Sequence, residues 1–214
     1  MAATKCKSND EWNAWFWILW WTQLLFGKSL FLFDIILSRV WIFLLCFVSF
    51  CKLQILDFSF NFLEDKGVIP LGQVMAELPK GMHHLNLSHC SLSTKGLNSL
   101  SQSLINNRMN TSTLTYLNLC GNILKDDLHH LNSYLAQPNV LAILDLSNTE
   151  IALDHLFPAL VRGCTNALTH LNLSRNHFST SKKTKDVTPT FKQFFASTLA
   201  LQYLNMSFCK IPPE

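Results

Sequence analysis

The strongest constraint on this chain is a nine-residue pattern, L-x-x-L-x-L-x-x-N/C, that returns six times. The copies occupy residues 53–61, 82–90, 114–122, 141–149, 168–176 and 201–209, with starts 29, 32, 27, 27 and 33 residues apart. One copy carries little information. Six in series describe a repeat architecture, in which no unit buries its apolar face alone and neighbours must stack to form a continuous core.

Each position of the pattern has a physical reason. Alternate side chains of a strand face opposite ways. The pairs Leu56/Phe58, Leu85/Leu87, Leu117/Leu119, Leu144/Leu146, Leu171/Leu173 and Leu204/Met206 are therefore predicted to point inward as one apolar column. The last position (Asn61, Cys90, Asn122, Thr149, Asn176, Cys209) is small and mostly polar, suited to satisfying backbone groups where the chain leaves the strand. The return paths read as helices. Leu97, Leu100 and Leu104, like Leu128, Leu131 and Leu135, follow i, i+3, i+7, and Phe191, Phe194 and Phe195 follow i, i+3, i+4. The expected fold is an α/β leucine-rich-repeat solenoid. It is a horseshoe segment of the ribonuclease-inhibitor-like kind, with a parallel sheet on the concave face and helices outside.

The second and fifth repeats are longer, and their extra residues are expected in the helix-to-strand returns or loops. The stretch 179–188 carries Lys182, Lys183 and Lys185, a candidate basic loop. It reads either as a solvated loop or as a docking site for an acidic partner or lipid headgroup. After Ile211 the sequence runs Pro212-Pro213-Glu214, without a helix for the sixth repeat. Solenoid ends need a polar cap. The chain is thus expected to be a piece of a longer solenoid, with residues 53–214 marginally stable and prone to self-association.

Residues 1–52 are a different kind of sequence and form the other half of the expected division, 1–52 and 53–214. All six Trp residues lie there, and 12–51 is an apolar belt, read as helical, interrupted only by Lys28, Asp34 and Arg39. Its uninterrupted runs fall short of the ~20 residues that cross a bilayer. Ser29 to Cys51 is long enough but would carry Asp34 and Arg39 inside, at about 2.5–3.5 kcal/mol each near the centre. A signal peptide fits poorly, because the belt is long, acidic residues precede it and no small-residue cleavage site follows. Three readings stay open: a segment foreign to the repeat domain, a membrane anchor or interfacial hairpin, and a helical cap on the first repeat.

Net charge is +3, spread as +2 before residue 53 and +1 after it, which points to no nucleic-acid partner. The seven cysteines are odd in number, with no C-x-x-C and no cap-like cluster, so a reducing, cytosolic compartment is expected. No catalytic or nucleotide-binding motif occurs, and no enzyme activity or cofactor is expected. Asp126-Asp127 reads as complementing a helix N-terminus. Among the eight histidines, His83-His84 and His129-His130 are adjacent pairs that do not converge on one ion. His84 and His170 share a face but stand three repeats apart, about 14 Å at ~4.8 Å per strand. That is too far for one metal. Of the sequons at Asn86, Asn110, Asn172 and Asn205, three arise from the repeat itself, and only Asn110 is expected in an accessible loop.

The same register lists what the concave face presents. One column reads Ile55, His84, Tyr116, Ile143, His170, Tyr203, and the next reads Asp57, Asn86, Asn118, Asp145, Asn172, Asn205. A third is all Ser except Cys120. Stacked Asn and Asp are often structural in such sheets, so the aromatic and His positions are the better contacts. The candidate binding residues are His84, Asn86, Tyr116, Asn118, Asp145, His170, Asn172 and Tyr203.

The stretch T-H-L-N-L-S-R-N at 169–176, the Lys-rich loop and then F-K-Q-F-F at 191–195 closely resemble the CARMIL family, the large regulators of actin capping protein. The resemblance runs over residues 53–214. It implies a cytoplasmic, cytoskeleton-associated scaffold acting near the plasma membrane in lamellipodial protrusion and cell migration, with protein partners of the actin machinery. In that family the capping-protein-binding motif lies in a disordered tail, so no capping-protein-binding residue carries over to this chain. Two other readings remain beside it. One is a membrane-anchored leucine-rich-repeat receptor, favoured by glycosylation at Asn110. The other is a cytosolic ribonuclease-inhibitor-like or immune-sensor repeat domain.

Overall fold

The computed structural model of this chain describes residues 53–125, 128–178 and 188–211. The apolar belt, Asp126-Asp127 and the three lysines of the candidate basic loop lie outside the described residues.

Six short strands carry the repeat pattern: β1 (Ile55–Asp57), β2 (His84–Asn86), β3 (Tyr116–Asn118), β4 (Ile143–Asp145), β5 (His170–Asn172) and β6 (Tyr203–Asn205). They form one sheet in sequence order. Every pairing is parallel, and the register sets motif position against motif position, Leu56 on Leu85, Leu85 on Leu117, and on to Leu171 on Leu204. Right-handed crossovers through helices join parallel strands of this kind. They are α1 (Glu64–Ala76), α2 (Thr94–Asn106), α3 (Arg108–Thr113), α4 (His129–Leu135), α5 (Leu153–Gly163) and α6 (Pro189–Ser197).

Local sequence explains where several of these helices begin. The Ser93 side chain accepts from the Lys95 amide at the start of α2, and Asn107 accepts from the Met109 amide at the start of α3. Pro189 opens α6, where a missing N–H costs nothing. The leucines at 97, 100, 104, 128, 131 and 135 are all buried, as their spacing requires. So are the strand leucines at 85, 87, 117, 119, 144, 146, 171 and 173. Strands pack ~4.8 Å apart while helices need 8–10 Å, so a one-layer sheet backed by helices curves with the sheet inside.

Two details depart from the sequence reading. The extra residues of the second repeat form α3, a second short helix, and bury Asn110 completely. Its Oδ1 accepts from the Met82 amide, and the buried Tyr134 hydroxyl donates to its carbonyl. The expected accessible sequon is therefore a structural asparagine. The sixth strand also differs: Leu204 is 37% exposed and Met206 half-buried, because no described helix packs over β6. At the same end Phe157, Phe178, Phe191 and Phe194 form an aromatic cluster. Its T-shaped contacts hold Phe191 at 4.9 Å from Phe157 and 5.3 Å from Phe178. Part of the F-K-Q-F-F signature is thus packing.

Candidate functional site

The sheet has one face against the helices and one open face, and the open face gathers the side chains that sequence reading assigned to it. Ile55, His84, Tyr116, Ile143, His170 and Tyr203 pair strand to strand as one column. Two pairs in it are aromatic stacks. His84 lies on Tyr116 with ring centroids 3.9 Å apart and planes within 7°, and His170 lies on Tyr203 at 5.9 Å and 26°. His84 and His170 stand three strands apart, and among the described residues no group of three or more His, Cys, Asp or Glu side chains is placed to hold a metal.

The second column, Asp57, Asn86, Asn118, Asp145, Asn172 and Asn205, does a structural job at each strand end. The side-chain oxygen of each accepts from the amide two residues on, at 2.8–3.3 Å. Sideways bonds link two neighbouring pairs: Asn86 Nδ2 donates to Asp57 at 2.9 Å, and Asn172 Nδ2 donates to Asp145 at 3.0 Å. Burial alone would raise the Asp57 carboxyl. Hydrogen bonds from Ser59 and Asn86, with His84 nearby, outweigh it and leave the group below its ordinary range. Burial lowers His84, and the Asp57 carboxylate partly offsets that.

A third column adds Cys120 among serines. Its Sγ lies 3.8 Å from His89 Nε2, and burial first of all raises the pKa of the Cys120 thiol. The described cysteines Cys90, Cys120, Cys164 and Cys209 are all free.

Sequence reading missed two features of this face. The first is the residue before the motif's final position, Phe60, His89, Gly121, Asn148, Arg175 and Phe208. Each takes a positive φ, between 53° and 72°, as the chain turns out of the strand. These side chains line the rim: Phe60 stacks on His89 at 4.6 Å, and the Arg175 guanidinium sits over Phe208 at 5.9 Å. Phe60 is 76% exposed and Phe208 78%. The pattern writes this position as x, which hides its conformation. The second feature is a higher-order period. Down the first two columns the residues run Ile/Asp, His/Asn, Tyr/Asn over β1–β3 and then repeat in the same order over β4–β6. Reading the columns down the repeats, instead of along them, would have found it.

With this geometry in place, comparison with known proteins is specific. The sequence model described as "CARMIL family, LRR domain" matches residues 44–214, beginning inside the apolar belt. The chain belongs to the CARMIL family. The human capping protein, Arp2/3 and myosin-I linker protein 3 is 41% identical over 167 residues, covering 77% of this chain and 12% of that protein. The mouse linker protein 2 is 38% identical over 149 residues, 67% of this chain and 11% of the relative. Protein CARMIL of Dictyostelium discoideum is 34% identical over 163 residues, 76% and 15%. This chain therefore spans a small part of the length of the CARMIL relatives it matches, and that part is the leucine-rich-repeat region.

Proposed function

We propose that this chain is a non-enzymatic protein-interaction scaffold of a CARMIL-type regulator of actin-filament capping. It acts in the cytoplasm, at the actin cytoskeleton near the plasma membrane. One observation carries the reading: the family match runs through all six repeats, to relatives whose names join capping protein, Arp2/3 and myosin-I. The open face supports it physically, because it sets exposed and half-buried His and Tyr side chains on a backbone whose own hydrogen bonds are already satisfied. Direct contact with capping protein is not assigned to any residue of this chain. Burial of Asn110 removes the sequon that would have favoured a glycosylated receptor.

The test is proximity labelling by the tagged full chain in motile cells, with leading-edge imaging of the same cells. Enrichment of actin-machinery proteins is expected. Replacing His84, Tyr116 and His170 together by Ala should reduce it without moving the melting curve. Replacing residues 179–188 should release the chain from the leading edge. Labelling indistinguishable from a cytosolic control would remove the proposal.

A further inference from the structure

The open face presents the same three-strand patch twice. In each patch a strand bearing Ile and Asp is followed by one bearing His and Asn and one bearing Tyr and Asn. The copies share two contacts as well as a sequence. Each Asp accepts from the Asn of the next strand, at 2.9 and 3.0 Å, and each His stacks on the next Tyr. Rim positions do not share the period, since Phe60, His89 and Gly121 correspond to Asn148, Arg175 and Phe208. The repetition is confined to the side chains that a ligand lying on the sheet would meet.

Accepting the amide two residues on does not require the charge that the two aspartates carry. At the four other strand ends an asparagine accepts the same amide. The carboxylates are also the only anions in the three columns, which contain no Lys or Arg. An ionised carboxylate accepts about four hydrogen bonds. Asp57 takes bonds from Ser59 and Asn86 and Asp145 takes three from Ser147 and Asn172, so each retains capacity for a cationic donor. Beside each lies an aliphatic side chain, and one strand on begins the aromatic stack, surfaces suited to the stem and head of Arg or Lys.

We infer that the open face binds an extended basic segment of a protein partner, whose two Arg or Lys side chains lie about four residues apart and each engage one Asp-His-Tyr patch. Corresponding points of the patches are three strands apart, ~14 Å. An extended chain covers that distance in about four residues at 3.3–3.6 Å each. The repeated columns form a band one side-chain alternation wide, ~7 Å, narrower than the 10–12 Å of a helix with its side chains. This inference rests on reading the open face as the interface and adds the chemistry of its partner.

The experiment is fluorescence anisotropy with the tagged full chain and labelled synthetic peptides of Gly, Ser and Thr carrying two arginines. The spacing between arginines is varied and the protein left unaltered. Affinity should peak near a four-residue separation, at least about fivefold above separations of two or seven. D57N and D145N should each weaken binding by a similar factor, about three- to tenfold, and the double variant should match a glutamate peptide. These variants keep the acceptor for the amide two residues on and lose the sideways bond from the next Asn, so their melts are recorded beside the binding and only a small shift is expected. Equal affinity at all spacings, a peak at the nine or ten residues expected of a helix, or unchanged binding by D57N and D145N overturns the inference. If the double variant loses the peptide but still labels actin-machinery proteins in cells, the binding chemistry stands and the open face is not their contact. If the peptides never bind while labelling persists, this inference falls and the scaffold reading remains.

Discussion

At the residue scale, the turn asparagines bind adjacent repeats together. Asn122 Nδ2 donates to the carbonyls of Leu87 and Leu119, while its Oδ1 accepts from the amides of Cys90 and Leu92. Asn176 does the same between the fourth and fifth repeats, with Thr149 and Ile151 as donors. Asn122→Ala leaves four buried backbone groups short of a partner. It is expected to cost about 2–4 kcal/mol in denaturant unfolding, and a loss under 1 kcal/mol would show that water replaces the amide. His84 gives a second prediction. Burial holds its imidazole below the ordinary value of 6.5, and Asp57 partly restores it. The folded state therefore favours the neutral ring. The stability this contributes is present above pH 6.5 and declines as the pH falls toward the folded-state value. D57N removes the restoring charge, so the NMR titration midpoint of His84 should move lower still. A rise would contradict the assignment.

At the element scale, close approach between helices depends on one small residue. A Cβ on Gly163, at the end of α5, would strike the backbone carbonyl oxygens of Leu135 and Gln137 at the end of α4. Backbone cannot rotate away as a side-chain tip can. Gly163→Ala is expected to destabilise the domain by about 1–3 kcal/mol, read as a shift in urea midpoint at constant slope. Sequence periodicity placed α2, α4 and α6 correctly because the apolar spacing of a helix is dictated by the face it buries. It did not reveal α3, whose six residues, R-M-N-T-S-T, carry no apolar period and which is capped by the Asn107 side chain. Reading that stretch as a loop also exposed Asn110, which the fold buries.

At the scale of the whole molecule, the sheet leaves β6 with β5 as its one described neighbour, and apolar side chains collect there. Leu199 is 92% exposed and Tyr203 49%, beside the exposed Phe208 and Leu204. Exposed apolar side chains gathered in one patch favour contact with another chain. Concentration-dependent self-association is the expected behaviour, measured by analytical ultracentrifugation of the solubilised full chain. Leu199→Lys with Phe208→Lys should reduce it, and an unchanged sedimentation profile would place the contact elsewhere. Alkaline carbonate extraction separately tests whether residues 12–51 hold the chain in membranes.

The sequence by itself determined the repeat, its register and the contents of the open face, because a strand's alternation and a stacked core leave the motif leucines of β2–β5 one place to go. It also carried the family, through the T-H-L-N-L-S-R-N and F-K-Q-F-F stretches. Only the tertiary structure decided what the polar columns do. Whether Asn86 or Asp145 is free or spent depends on the amide two residues on and on the side chain one strand away, and both distances are set by stacking. The stacking of His84 on Tyr116, 32 residues later, is likewise created by the neighbouring repeat. The left-handed rim positions follow the same logic, since the turn geometry belongs to the repeat and is imposed on Phe60, His89 and Arg175 whatever their own preference.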